Sequence, residues 1–122
     1  MPPRRTGKAG ARRKATEPDY RLIFRQAPIP AYIAEAGSTR ILDVNQAALA
    51  RYGYSRAEFL RLSARDIRPP EDVARYDAFV AEQVPRRDAF IPAGLWRHRT
   101  RAGEVFEVEV SWARIQWKGR RA

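Results

Sequence analysis

Gly94-Leu-Trp-Arg-His-Arg-Thr-Arg-Ala-Gly-Glu-Val-Phe-Glu-Val-Glu-Val-Ser-Trp112 is the stretch whose reading decides the fold. It predicts a β-hairpin, with strands Leu95 to Thr100 and Glu104 to Trp112 around Arg101-Ala102-Gly103. A two-residue loop would set Arg99 opposite Phe106 and Arg97 opposite Val108. A three-residue loop with Gly103 in the left-handed conformation sets His98 opposite Phe106 and Trp96 opposite Val108 instead. It also sets Arg97 opposite Glu107. The second register separates apolar from charged side chains, so it is the one expected. Trp96, His98, Phe106, Val108, Val110 and Trp112 then share one face. Arg97, Glu107, Arg99 and Glu109 share the other, as surface ion pairs contributing about 0–1 kcal/mol each.

Upstream, Arg68-Pro69-Pro70-Glu71-Asp72 has the signature of a helix start: proline at the first position and acids over the positive end of the dipole. Val73, Tyr76, Val80 and Val84 follow at helical spacing, with Phe79 beside them, and Pro85 ends the helix. Capping accounts for Glu71 and Asp72 better than an acid–base pair does. Asn45 caps a short helix through about Arg51, and Gly53 stops it. Ser55-Arg-Ala-Glu58 is a capping box that opens another carrying Phe59 and Leu60. Ala31 to Glu35 and Arg40 to Val44 read as short strands around a Gly37-Ser38 turn, with Leu42 and Val44 on one side and Asp43 on the other. Before them, Thr16 caps a helix from Glu17 with Tyr20, Ile23, Phe24 and Ala27 on one face; Pro28 and Pro30 end it. Helix, two strands, three helical pieces and a long hairpin make an α+β domain with an antiparallel sheet.

The 122 residues suffice for one domain. Net charge is +10, from 24 Lys and Arg against 14 Asp and Glu. Six of those bases (Arg4, Arg5, Lys8, Arg12, Arg13 and Lys14) lie in the first 14 residues without an acid, which leaves +4 for the rest. Residues 1–15 hold no large apolar residue after Met1 and are expected to be a disordered basic tail, with the folded domain spanning 16–122. Such a tail either solubilises the chain or touches nucleic acid or anionic lipid through phosphate charge. No apolar run is long enough to span a bilayer, and a cytoplasmic location is expected.

Four stretches together resemble a PAS domain from Tyr20 to Ala122. They are Gln26-Ala-Pro-Ile-Pro-Ala-Tyr-Ile-Ala34, Ile41 through Leu60, Asp66-Ile-Arg-Pro-Pro-Glu-Asp72, and the Gly94–Val110 ribbon. The resemblance is to PAS sensors of bacterial signalling proteins such as histidine kinases and cyclic-di-nucleotide enzymes. It implies a five-stranded antiparallel sheet with short helices on one face, and a cleft under the long helix that holds a small ligand or only side chains. It also implies a sensory or protein-interaction role in signal transduction, including two-component systems. A homodimer or a signalling partner protein is the expected associate. The family's last strand lies in the middle of the sheet, beyond the turn at Lys118-Gly119-Arg120. With the sequence ending at Ala122, most of that strand is expected to be missing, through truncation or completion by another chain.

The chain has no cysteine, which closes flavin–cysteinyl adducts and thiol-linked chromophores. Haem is disfavoured because the long helix carries no histidine. The single histidine, His98, reads as a packed side chain, with ligand binding or pH switching as the sharper alternative. One histidine and no cysteine offer no metal site. The pocket candidates are Ile33, Tyr76, Phe79, Trp96, His98, Phe106, Val108, Val110 and Trp112, which fill or line the cleft. Asn45, Ser55 and Glu58 are structural caps. No phosphate loop and no nucleophile–base pair stands out, so no catalytic residue is assigned and an enzyme is not expected. The competing function is a nucleic-acid or membrane-surface binder driven by the tail.

Overall fold

The computed structural model describes residues 20–83, 85–87 and 89–122. The 1–15 tail, the Thr16 cap and Val84 lie outside the described residues. In chain order the elements are α1 (20–26), β1 (Tyr32–Ala34), β2 (Ile41–Val44), α2 (Gln46–Tyr52), α3 (Arg56–Phe59), a 3-10 turn at Pro70–Asp72 and α4 (Val73–Glu82). The strands β3 (Ile91–Arg99), β4 (Val105–Trp112), β5 (Gln116–Trp117) and β6 (Arg120–Arg121) follow. This is the expected α+β architecture of short helices and antiparallel strands.

The hairpin adopts the register that segregates its faces. Trp96 pairs with Val108, Arg97 with Glu107 and His98 with Phe106. Gly103 closes the loop at φ +96°, a conformation that a side chain would strain. The strand β3 reaches back to Ile91 through a bulge between Pro92 and Gly94.

The described strands form three antiparallel pairs, β1–β2, β3–β4 and β5–β6. Among the described residues, no strand pairs with the second edge of β1 or of β4. The outer edges are covered differently. Beyond β2, the Ile41 N–H donates to Leu62 O at 2.9 Å and Arg40 bridges Ser63. Beyond β3, the proline and the bulge break the ladder, and Arg75 Nη2 donates to Leu95 O at 3.3 Å. The short β5–β6 ribbon is tied to the far side of β1 by Ala36 N–H donating to Arg121 O (2.9 Å) and by an Arg120–Glu35 ion pair (3.2 Å).

Capping follows the sequence signals. The Asn45 side chain accepts from Ala48 N–H, Gly53 ends α2 in the left-handed region, and Ser55 and Glu58 form the reciprocal capping box. Ile41, Val44, Ala48, Tyr52, Phe59, Ala64, Ile67, Tyr76 and Trp96 make one core. The helices and the ribbon both contribute to it, so burial rather than local propensity holds the short elements.

Three expectations are corrected. On α1, Tyr20 and Ile23 are about two-thirds exposed, and only Phe24 and Ala27 are half-buried, because the described sheet packs elsewhere. The long helix begins as a 3-10 turn and ends at Glu82, with Gln83 already extended. Pro85 restricts the residue before it, which leaves no room for a further helical turn. Glu71 and Asp72 lie in the first turn as expected, but make no side-chain cap hydrogen bond. They hold Arg97, at 3.4 Å and 2.7 Å, so Arg97 turns from its cross-strand neighbour Glu107 towards the stronger acidic pair.

Candidate functional site

The α4 helix crosses the aromatic face of the β3–β4 ribbon, and the side chains of Tyr76 and Trp96 fill the contact. Strand alternation places Trp96 and His98 on the inner side of β3, and both are buried. Trp96 Nε1 donates to Ala93 O at 2.8 Å, a contact made available by the bulge. Tyr76 meets the Trp96 ring edge-on at a centroid distance of 5.9 Å. Phe79 meets it at 5.1 Å and also stacks on Trp112 at 5.2 Å. Phe106, Val108, Val110 and Trp112 are half-buried. Of the nine pocket candidates, Tyr76, Phe79, Trp96 and Trp112 meet at this contact, His98 and Phe106 pack on Tyr52 of α2, and Val108 and Val110 lie on the same inner face. Ile33 is the exception: its neighbours Tyr32 and Ala34 pack on the core, whereas Ile33 alternates away.

His98 is 3% exposed. Its Nδ1 is hydrogen-bonded to the Tyr52 hydroxyl, and its Nε2 has no partner among the described residues. Burial, helped by the positive charge of Arg68, pushes its pKa down to about 3. The imidazole is thus neutral at neutral pH in the folded state. Burial raises the Tyr52 hydroxyl well above the usual phenol range. Tyr76 is likewise raised to about 12, with burial the largest cause. Both phenols stay protonated.

Sequence reading missed Arg68. It is 2% exposed, with its guanidinium 3.7 Å from the Tyr76 ring centroid and 5.4 Å from that of Trp96. Its Nη1 donates to Ala64 O, while its Nε has no partner among the described residues. Among the described residues no carboxylate forms an ion pair with it. Stacking on two aromatic faces compensates the charge in part. The Arg99 N–H to Ile67 O bond, at 2.7 Å, brings the Arg68 turn beside His98. Tyr52 was missed as well; its place one residue before the Gly53 stop, on the inner side of α2, was the available signal.

On the surface, a recess of about 190 Å³ is lined by Arg51, Tyr52, Gly53, Thr100, Arg101 and Ala102. Arg51 lies 3.6 Å above the Phe106 ring. A broader hollow of about 520 Å³ lies among Glu35, Ala36, Gly37, Arg120 and Arg121. Among the described residues, no three His, Asp or Glu side chains gather as metal ligands. No described helix is long and apolar enough to cross a membrane.

Comparison with known proteins matches the PAS domain family over residues 30–122. The methyl sulfide methyltransferase-associated sensor of Methanosarcina acetivorans is 32% identical over 112 residues, covering 88% of this chain. The chain spans about a tenth of that relative's length (10%). Among solved structures, the PAS domain of an HTR-like protein from Haloarcula marismortui superposes with a TM-score of 0.75 at 21% identity, covering 94% of this chain and 92% of that one. A domain of the sensory box sensor histidine kinase/response regulator from Geobacter sulfurreducens gives 0.67 at 26% identity, covering 87% and 88%.

Proposed function

We propose, because this chain belongs to the PAS domain family, that it is a signalling module which senses in the ribbon–helix cleft and answers through association at its sheet. One observation carries the proposal. Trp96 is clamped under α4 by Tyr76 and Phe79, while the adjacent Leu95 stands 57% exposed on the opposite face. Val105, 45% exposed, shares that outer face. A shift of Trp96 along β3 therefore reaches, within one residue, an outer face on which Leu95 and Val105 stand exposed among Arg97, Arg99, Glu107 and Glu109. The occupant of that surface is a second copy of the chain or a signalling protein such as a histidine kinase.

The finer assignments belong to the same proposal. Phe79, Trp96, His98, Phe106, Val108, Val110 and Trp112, with Tyr76, are the side chains that respond to the stimulus. The domain occupies residues 16–122, works in the cytoplasm and binds rather than catalyses. The open edges of β1 and β4 face the position of the family's central strand, and an extended segment that enters there completes the sheet. The 1–15 tail supplies only non-specific contact with anionic partners.

Sedimentation velocity over a range of concentrations tests the reading. Self-association is expected, with Leu95→Glu plus Val105→Glu weakening it at least tenfold at unchanged circular dichroism. Association untouched by both charges would sink this choice of surface. A DNA affinity that survives deletion of residues 1–15 would overturn the assignment of anionic contact to the tail.

A further inference from the structure

Among the described residues, two buried nitrogen atoms in the core have no hydrogen-bond partner: Arg68 Nε and His98 Nε2. They belong to side chains only 2% and 3% exposed. Native interiors rarely leave such atoms unpaired, because each costs about 1–3 kcal/mol, more for a charged group. The two side chains are neighbours through β3: Tyr76 and Trp96 lie over the guanidinium, His98 follows Trp96 on the same inner face with Tyr52 on its imidazole, and Arg99 N–H holds Ile67 O beside Arg68. Arg68 also lacks an ion-pair partner among the described residues. When the Tyr52 hydroxyl donates to Nδ1, the neutral imidazole carries its proton on Nε2. The two unpartnered atoms are then both N–H donors beside an uncompensated positive charge.

We propose that Arg68 and His98 form a buried receptor for a small carboxylate ligand. A carboxylate brings one acceptor oxygen for each N–H, the planar shape a guanidinium edge matches, and the missing negative charge. Tyr76 and Trp96 supply apolar walls that suit a short aliphatic chain. The site deepens the sensory reading and rests on it. Both donors are sealed from solvent, so entry requires α4 to lift from Trp96, and occupancy is coupled to the ribbon.

His98 is the only histidine in the chain, so its ring nitrogens give an unambiguous NMR signal. The full chain, labelled with 15N at pH 7, is titrated with sodium acetate, sodium phosphate or sodium chloride at matched ionic strength. Acetate is expected to shift Nε2 saturably and hold the proton there, whereas phosphate does no more than chloride. Arg68→Gln is expected to weaken the acetate response at least tenfold. If near-UV circular dichroism shows that variant unfolded, Arg68→Lys, which keeps the charge but not the planar edge, is expected to weaken it by a similar factor. A shift without saturation, a phosphate response equal to or above that of acetate, or a response undiminished in the folded variant overturns the proposal. If acetate fails while the Leu95 and Val105 dependence of association holds, the carboxylate receptor falls and the sensory reading stands.

Discussion

The Tyr52 hydroxyl and His98 Nδ1 are hydrogen-bonded inside the core, joining the last residue of α2 to β3 across 46 positions of sequence. The bond fixes the imidazole plane, and with it the direction in which Nε2 points. Tyr52→Phe keeps the ring contacts with Phe59 and Phe106 and leaves Nδ1 unpartnered. The expected loss is about 1–3 kcal/mol in urea unfolding, the cost of a buried unsatisfied polar atom. An unchanged midpoint would mean that the bond contributes nothing net.

Acid should destabilise the fold through His98. Its pKa falls from 6.5 in the unfolded chain to about 3 in the folded one. Between those values the unfolded state binds the extra proton, so stability is complete above pH 6.5 and declines as pH falls towards 3. Asp72, held below the usual carboxylate range by Arg97, adds loss only at the acid end. His98→Gln should flatten the stability profile between pH 6.5 and 5, where carboxylates contribute little. A wild-type profile already flat in that window would contradict the buried neutral imidazole.

Neighbours on β3 should differ sharply. Trp96→Ala opens a cavity under Tyr76 and Phe79, at an expected cost of about 3–5 kcal/mol. Leu95→Ala, on the exposed side, should change stability by less than about 0.5 kcal/mol. Comparable losses for both would mean that the ribbon is turned over.

The hairpin register was legible because two independent signals agreed: Gly103 for the left-handed loop position, and the alternation of Trp96 and His98 against Phe106 and Val108. Asn45, Ser55 and Glu58 were legible because caps are local chemistry. Arg68 was not, since an arginine before Pro69-Pro70 looks like a solvated loop residue. Its burial is set by Tyr76 and Trp96, which arrive from α4 and β3. The salt-bridge partner of Arg97 was hidden for the same reason: cross-strand pairing points to Glu107, while tertiary packing offers Asp72 and Glu71. The alternation that buries Tyr32 and Ala34 could have excluded Ile33 from the cleft, had either neighbour been recognised as facing the core.

Asn45 should matter more than an ordinary cap. Its Oδ1 accepts from both Ala48 N–H and Ala31 N–H at 3.0 Å, and its Nδ2 donates to Ile29 O at 2.8 Å. It thus fastens the segment before β1 to the start of α2. Asn45→Ala is expected to cost about 2–4 kcal/mol, against about 1 kcal/mol for Ser55→Ala at an exposed cap. Equal losses in chemical denaturation would show that the Ala31 and Ile29 contacts add nothing.

The unequal treatment of the strand margins limits how copies of this molecule can join. With Leu62 lying along β2, and Pro92 and Arg75 breaking up the far side of β3, neither flank can template another molecule. Next to β1, the Ala36 N–H is already taken up by Arg121 O of the short terminal ribbon. Protected flanks of this kind work against edge-to-edge stacking of copies into a fibre.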